Sequence, residues 1–147
     1  MGAIMGYTAK DIPMETLRGA FERTKSRGPD DTRVLELPSG VLLFHRLAIM
    51  GPEPAGMQPF TAPDGSAVVC NGELYGFRRA KRELERKGYV FHSGSDCELL
   101  LPLWRERGVE MFRELDAEFA LVLSDAASDS CVAARAPTGI RPLSYAC

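Results

Sequence analysis

No apolar run in this sequence approaches the roughly 20 residues that a membrane span needs. No basic-then-apolar leader precedes its first apolar stretch either. These two absences exclude the usual membrane and export signals, and the expectation is a soluble, cytoplasmic protein. An excess of one charge is lacking as well: 18 Lys and Arg stand against 20 Asp and Glu, for a net charge of -2. Nothing in that balance asks for nucleic acid or an anionic membrane as partner. The four cysteines, Cys70, Cys97, Cys131 and Cys147, form no C-x-x-C pair. No metal or redox site is signalled and no cofactor is expected; the cysteines read as free, mostly buried thiols. Repeats, low-complexity stretches and long linkers are also missing. What is present, 147 residues of which 45% are apolar, suits one domain over residues 1–147 with one core.

The first eight residues, Met1-Gly2-Ala3-Ile4-Met5-Gly6-Tyr7-Thr8, read as an apolar strand that draws the N-terminus into the fold. Asp11-Ile12-Pro13 then starts a helix. Met14, Leu17, Ala20, Phe21 and Thr24 share one face of it, and Gly28-Pro29 closes it. Thr32 to Leu37 is a strand, and Pro38-Ser39-Gly40 turns the chain. Gly40 to Met50 is nearly all apolar, as expected of a strand buried on both faces; only His45 and Arg46 interrupt it. The proline-rich segment from Gly51 to Gly65 is loop. Ser66 to Cys70 is a strand that Asn71-Gly72 breaks. A helix from about Phe77 to Lys87 carries Arg78, Arg79, Lys81, Arg82, Arg86 and Lys87 on a solvated face, with Glu83 and Glu85 as pair partners. Tyr89-Val90-Phe91 is a short strand. Ser95 with Glu98 reads as a capping box, and Pro102 should kink the helix that follows. Glu118 to Ser124 and Ser130 to Arg135 are strands, and a last strand begins at Gly139-Ile140-Arg141-Pro142-Leu143. Segregated helices and mostly antiparallel strands mean an α+β fold, with two sheets face to face and helices outside.

Four places could carry chemistry. Arg46 is either an edge arginine snorkelling to water or a guanidinium built to take a carboxylate bidentately. Asn71-Gly72 is either a two-residue hairpin turn or an oxyanion hole, with an amide side chain and a glycine N–H aimed at one oxygen. Glu73 and Asp96 each follow a turn, and Asp96 is favourable at a helix start in any case. Together the two acids could hold an ammonium. An arginine, two acids and an amide pair would make a complete cradle for a free amino acid.

Six stretches in order make a resemblance specific: Arg27-Gly28-Pro29-Asp30-Asp31, His45-Arg46-Leu47-Ala48-Ile49, Gly56-Met57-Gln58-Pro59-Phe60, Asn71-Gly72-Glu73-Leu74-Tyr75, Gly94-Ser95-Asp96-Cys97-Glu98 and Gly139-Ile140-Arg141-Pro142-Leu143. On these residues the chain resembles the glutaminase domain of the glutamine-hydrolysing asparagine synthetases, which are N-terminal-nucleophile (class II) glutamine amidotransferases. The resemblance implies a four-layer αββα sandwich and hydrolysis of L-glutamine to glutamate and ammonia. By the same resemblance Arg46 would bind the substrate α-carboxylate, Glu73 and Asp96 its α-ammonium, and Asn71 and Gly72 would form the oxyanion hole. Ile49, in the arginine motif, is carried over as substrate-binding. In that family a cysteine follows Met1; removal of the methionine exposes it, and its own α-amine shuttles the proton.

Here the chain departs from the pattern. Gly2 stands at the nucleophile position, and Ala3 replaces a family glycine. Ala117 stands where Asp-Gly is usual, and Ala136 where Arg-Asp is usual. Loss of a covalent nucleophile costs on the order of a millionfold in an enzyme where it has been dissected, so little turnover of glutamine is expected. The resemblance also implies a synthetase domain or subunit as partner. The Ser-Gly-Gly-x-Asp-Ser loop of such a domain is absent from these residues, so asparagine synthesis by this chain alone is not expected. A non-catalytic module that binds glutamine and docks to a synthetase is the competing reading. A homodimer is compatible with the sequence.

Overall fold

The computed structural model describes residues 1–9, 11–49 and 51–146. Strand β1 (Gly2–Tyr7) and strand β2 (Asp31–Leu37) flank the central strand β3 (Gly40–Arg46) in a three-stranded antiparallel sheet of order β1-β3-β2. A second antiparallel sheet has the order β4 (Phe60–Thr61), β5 (Ala67–Leu74), β6 (Ala117–Asp125), β7 (Ser130–Arg135). The period of two along each strand sorts its side chains into layers. On one face of β3, Val41 and Leu43 pack with Leu17 and Phe21 of α1 (Met14–Glu22). On its other face, Leu42 and Phe44 pack between the sheets with Ala67, Val69 and Val122. The outer face of the second sheet, through Val68, Cys70, Leu121 and Leu123, meets Leu84 of α2 (Phe77–Arg86). It also meets Leu100 and Leu103 of α3 (Leu100–Arg107) and Met111 of α4 (Met111–Glu114). Three apolar layers between four layers of backbone make the expected αββα sandwich. Each fully buried Leu or Phe contributes about 1.5–3 kcal/mol.

The same alternation brings polar residues to one place. Arg46 continues the inter-sheet face that Leu42 and Phe44 begin. Asn71 and Glu73 continue the face of Ala67 and Val69. Gly2 lies two residues before Ile4, which packs in the same layer. The apolar layer between the sheets therefore ends in a polar cluster.

Several local expectations are corrected. Asn71 and Gly72 do not turn the chain; they lie inside β5, paired with Ala120 and Phe119 of β6. Eight residues of antiparallel pairing outweigh the local Asn-Gly preference. Tyr89-Val90-Phe91 and Gly139 to Leu143 are not strands, because neither finds a partner edge. Helix α1 ends at Glu22, and a separate short 3-10 turn, Lys25–Arg27, leads to Gly28. The Ser95–Glu98 capping box does not form. The Glu98 carboxylate instead accepts from the N–H groups of His92 (2.7 Å) and Ser93 (2.9 Å), and the Ser95 N–H is taken by the Ser93 hydroxyl. Pro102 sits in the first turn of α3, where no intrahelical donor is required, so it does not interrupt the helix. Of the described cysteines, Cys70 and Cys97 are buried and Cys131 is exposed. The third strand, expected to run to Met50, ends at Arg46, and Leu47 to Ile49 are not strand. Met50 and the thiol of Cys147 lie outside the described residues. Among the described residues, no helix is long and apolar enough to cross a membrane.

Candidate active site

A small cavity of about 50 Å³ opens where the polar ends of the two sheets meet. Arg46, Ile49, Gly72, Glu73 and Asp96 all line it, together with Met1, Gln58 and Cys97. Five of the seven residues singled out in the sequence thus share one wall. Gly2 and Asn71 are joined to each other: the Gly2 N–H donates to Asn71 Oδ1 at 3.2 Å.

Arg46 is 7% exposed, which overturns the snorkelling alternative. Burying a guanidinium is costly unless its donors are satisfied. Arg46 Nη2 donates to the carbonyl of Gly51 and to that of Glu53 at 2.9 Å. The backbone at Arg46 is fixed from outside by the turn that precedes β2. The Asp30 N–H donates to the Arg46 carbonyl (3.0 Å), and Asp30 Oδ2 accepts from the Ala48 N–H (2.8 Å). Gly28 approaches so closely that a Cβ there would lie 2.4 Å from the His45 carbonyl carbon. His45 points to the other face of β3, where its ring stacks on Phe21 at 4.0 Å and bonds Thr32 Oγ1 and the Phe21 carbonyl.

Asp96 is 2% exposed, and its Oδ2 accepts from the Leu74 N–H at 2.6 Å. This bond also orients β5. Leu74 N and Cys70 N both point off β6, the latter to Gln58 Oε1 at 2.6 Å. Gly72 lies between them, so the period of two turns its N–H the same way, toward the cavity. Only glycine fits at this position: a Cβ on Gly72 would lie 2.4 Å from the Glu118 carbonyl oxygen. Ile49 is 54% exposed and lies at the cavity mouth.

The Cys97 thiol is the described sulfhydryl in the cavity wall. Its hydrogen bond with Cys70 and its burial push its pKa well up, so it stays a neutral thiol. Ala3 packs toward α1, on the face away from the cavity. Ala117 begins β6 opposite Leu74, and Ala136 is buried on the outer face of the second sheet.

Four contributors went unnoticed in the sequence. Met1 extends the pairing of β1, its N–H donating to the Leu47 carbonyl (3.3 Å) and its carbonyl accepting from the Leu47 N–H (2.6 Å). Arg141 pairs with Glu118, the cross-strand neighbour of Glu73, and its Nη2 lies 2.9 Å from the Met1 sulfur. The Gln58 carboxamide bonds both backbone groups of Cys70, doing for β5 what a longer edge strand would do. Glu53 ties the loop after β3 to the turn before Asp96. The motifs containing Gln58 and Arg141 were visible as motifs. The apolar start of the chain points to a buried N-terminus, but nothing in the local pattern marks Glu53 as part of the site.

Two sheets stacked between helices, with a polar cavity at the strand ends and the start of the first strand beside it, define a sandwich of the N-terminal-nucleophile hydrolase type. More particularly, residues 1–147 match the family model described as a glutamine amidotransferase domain, and the chain belongs to that family. It is 38% identical over 144 residues to a "probable asparagine synthetase (glutamine-hydrolyzing)" of Acanthamoeba polyphaga mimivirus, covering 95% of this chain and 26% of that protein. It is 38% identical over 123 residues to asparagine synthetase (glutamine-hydrolyzing) 1 of Saccharomyces cerevisiae, covering 83% of this chain and 21% of that protein. It is 39% identical over 122 residues to asparagine synthetase (glutamine-hydrolyzing) 3 of Arabidopsis thaliana, covering 82% and 21%. The chain spans a fifth to a quarter of the length of these relatives.

Proposed function

We propose that this chain binds L-glutamine in the cavity lined by Arg46, Glu73 and Asp96, and that it is a single glutaminase domain from which the nucleophile is missing. The observation that carries this reading is the burial of Arg46. Both backbone carbonyls that hold it use Nη2, which leaves Nη1 as a charged donor for a carboxylate. Glu73 and Asp96, in the wall of the same cavity, would take the α-ammonium. Ile49 would close over the substrate at the mouth. The Gly72 N–H and the Asn71 amide, whose Oδ1 is anchored on Gly2, would face the side-chain carbonyl oxygen. With a cysteine at position 2, its sulfur would add to the side-chain carbonyl carbon, the oxyanion would rest in that pair of donors, and ammonia would leave. Water would then release glutamate from the thioester. With Gly2 there is no atom to attack. The relatives are named as glutamine-hydrolysing asparagine synthetases, so a synthetase domain or subunit is the partner that would receive the ammonia.

A second reading has its own support. Gly2 holds a conformation that a side chain does not fit, and Met1 sits in the cavity wall. Both suit a non-catalytic module that senses glutamine or docks to a synthetase. Ammonia release from L-glutamine separates the two readings. The chain should be compared with a Gly2→Cys, Ala3→Gly variant whose free N-terminal cysteine is verified by mass. Activity in the variant alone supports the glutaminase. Activity in neither, with both folded, favours the binding module and points to Ala117 and Ala136. Activity in the unaltered chain refutes the assignment of position 2.

A further inference from the structure

We propose that Glu53 is a positioning residue that fixes the spacing between the two ends of the amino-acid cradle. The inference rests on the glutamine-binding reading above. The loop Gly51 to Gly56 is wedged between Arg46 at one end of the cavity and the Gly94-Ser95-Asp96 turn at the other. Its backbone meets the Arg46 guanidinium on one side and the backbone of the turn on the other. A Cβ on Gly51, whose φ is +55°, would lie 2.6 Å from the Ser95 nitrogen. One on Gly56 would lie 2.9 Å from Arg46 Nη2. Glycines of this kind let the surfaces approach but carry no side chain to hold them together.

Glu53 supplies that hold from both of its ends. Its carbonyl accepts from Arg46 Nη2 at 2.9 Å, and its Oε1 accepts from the Gly94 N–H, two residues before Asp96. The residue lies between Pro52 and Pro54, and its backbone is extended (φ -60°, ψ 156°), as a residue before proline must be. The two proline rings fix the neighbouring φ angles. One residue with a stiff backbone therefore touches the carboxylate end of the cradle with its main chain and the ammonium end with its side chain. The Gly94 N–H bond also draws the Glu53 carboxyl below the usual range, which keeps it ionised as an acceptor.

The spacing matters because an α-amino acid carries its carboxylate and ammonium on the same carbon. A ligand that must satisfy two fixed ends at once tolerates about 0.5 Å of error. Without the latch the turn keeps its anchors to Glu98 and Leu74, so the protein folds, but Arg46 and Asp96 lose their common reference.

The test is calorimetric titration of L-glutamine into the chain, Glu53→Ala and Glu53→Gln, alongside amide hydrogen exchange at Gly94. Glu53→Ala should bind about tenfold more weakly, the size expected for a hydrogen bond to a charged group, and Gly94 should exchange faster. Glu53→Gln, whose Oε1 can still accept, should restore affinity to within about threefold and restore protection at Gly94. Equal affinity of Glu53→Ala and the parent overturns the inference. Equal exchange at Gly94 overturns it independently of any ligand. A parent that binds no glutamine while Gly94 loses protection in Glu53→Ala leaves a latch with no cradle, which refutes the glutamine reading and this role with it.

Discussion

Replacing Gly2 by alanine while Met1 is kept should destabilise the protein, although glycine-to-alanine changes usually do the opposite. Gly2 has a φ of +155°, and a Cβ built on it would lie 1.7 Å from the His45 carbonyl oxygen and 2.9 Å from the His45 carbonyl carbon. No side-chain rotation relieves this, because the obstacle is the backbone of β3. Relief requires turning the Met1–Gly2 peptide. That peptide is pinned by the pairing of Met1 with Leu47 and by the Gly2 N–H bond to Asn71 Oδ1. A residue forced into a glycine-only region costs about 1–3 kcal/mol, and freeing the peptide instead leaves buried Asn71 unpaired at about 1–3 kcal/mol. The loss of unfolded-state entropy offsets only about 0.4–1 kcal/mol. A net cost of about 1–2 kcal/mol lowers Tm by roughly 3–8 °C in a domain of this size. Differential scanning calorimetry of Gly2→Ala and Gly2→Cys, with Met1 verified by mass, measures it. Without Met1 the amine at position 2 can swing aside, and the penalty on Gly2→Cys should fall below about 1 kcal/mol. A Gly2→Ala protein with Met1 in place that melts within 1 °C of the parent refutes the reasoning.

Arg46→Ala should abolish glutamine binding by calorimetry, with a loss of at least about a hundredfold, since a charge-assisted bond disappears and the buried α-carboxylate is left without its counter-charge; unchanged affinity refutes the carboxylate assignment. It should also cost about 2–4 kcal/mol in urea denaturation, because the carbonyls of Gly51 and Glu53 lose their donor. Asp96→Asn keeps an oxygen for the Leu74 N–H, so its Tm should move little while glutamine affinity drops about tenfold or more. Equal affinity would take the ammonium away from Asp96. The Glu53 carboxyl has a folded-state pKa lowered by the Gly94 N–H bond. Its contribution is therefore complete above the unfolded value of about 4.3 and disappears as pH falls through the lower folded value. Urea midpoints of the parent should fall more steeply than those of Glu53→Gln below about pH 4.3, and parallel curves would contradict the latch.

The layers were legible because their signal is periodic. Val41 to Phe44 announce a strand buried on both faces, and Leu17 and Phe21 announce the helix that covers one of them. Arg46 stands out by breaking an apolar run; the break leaves snorkelling and a pocket role both open, and its burial removes the first. Asn71-Gly72 reads as a break in the sequence because turn preferences are local. What makes it a strand is eight residues of pairing with β6, including the close fit of Gly72 against Glu118 and Phe119. Tyr89-Val90-Phe91 erred the other way: its composition favours a strand, but strands need a free edge and none reaches it. Glu53 was illegible for a different reason. It acts through its own carbonyl and through the backbone N–H of a residue 41 positions away, and neither partner leaves a mark in residue type.

The account stands most directly on calorimetric titration of L-glutamine into the folded chain. It predicts saturable binding of one glutamine, with the ligand recovered unhydrolysed, because the proposed cradle would hold the substrate and Gly2 offers no side chain to attack it. A folded chain that gives no binding heat, and no change in the Arg46, Glu73 or Asp96 resonances at millimolar glutamine, would contradict it.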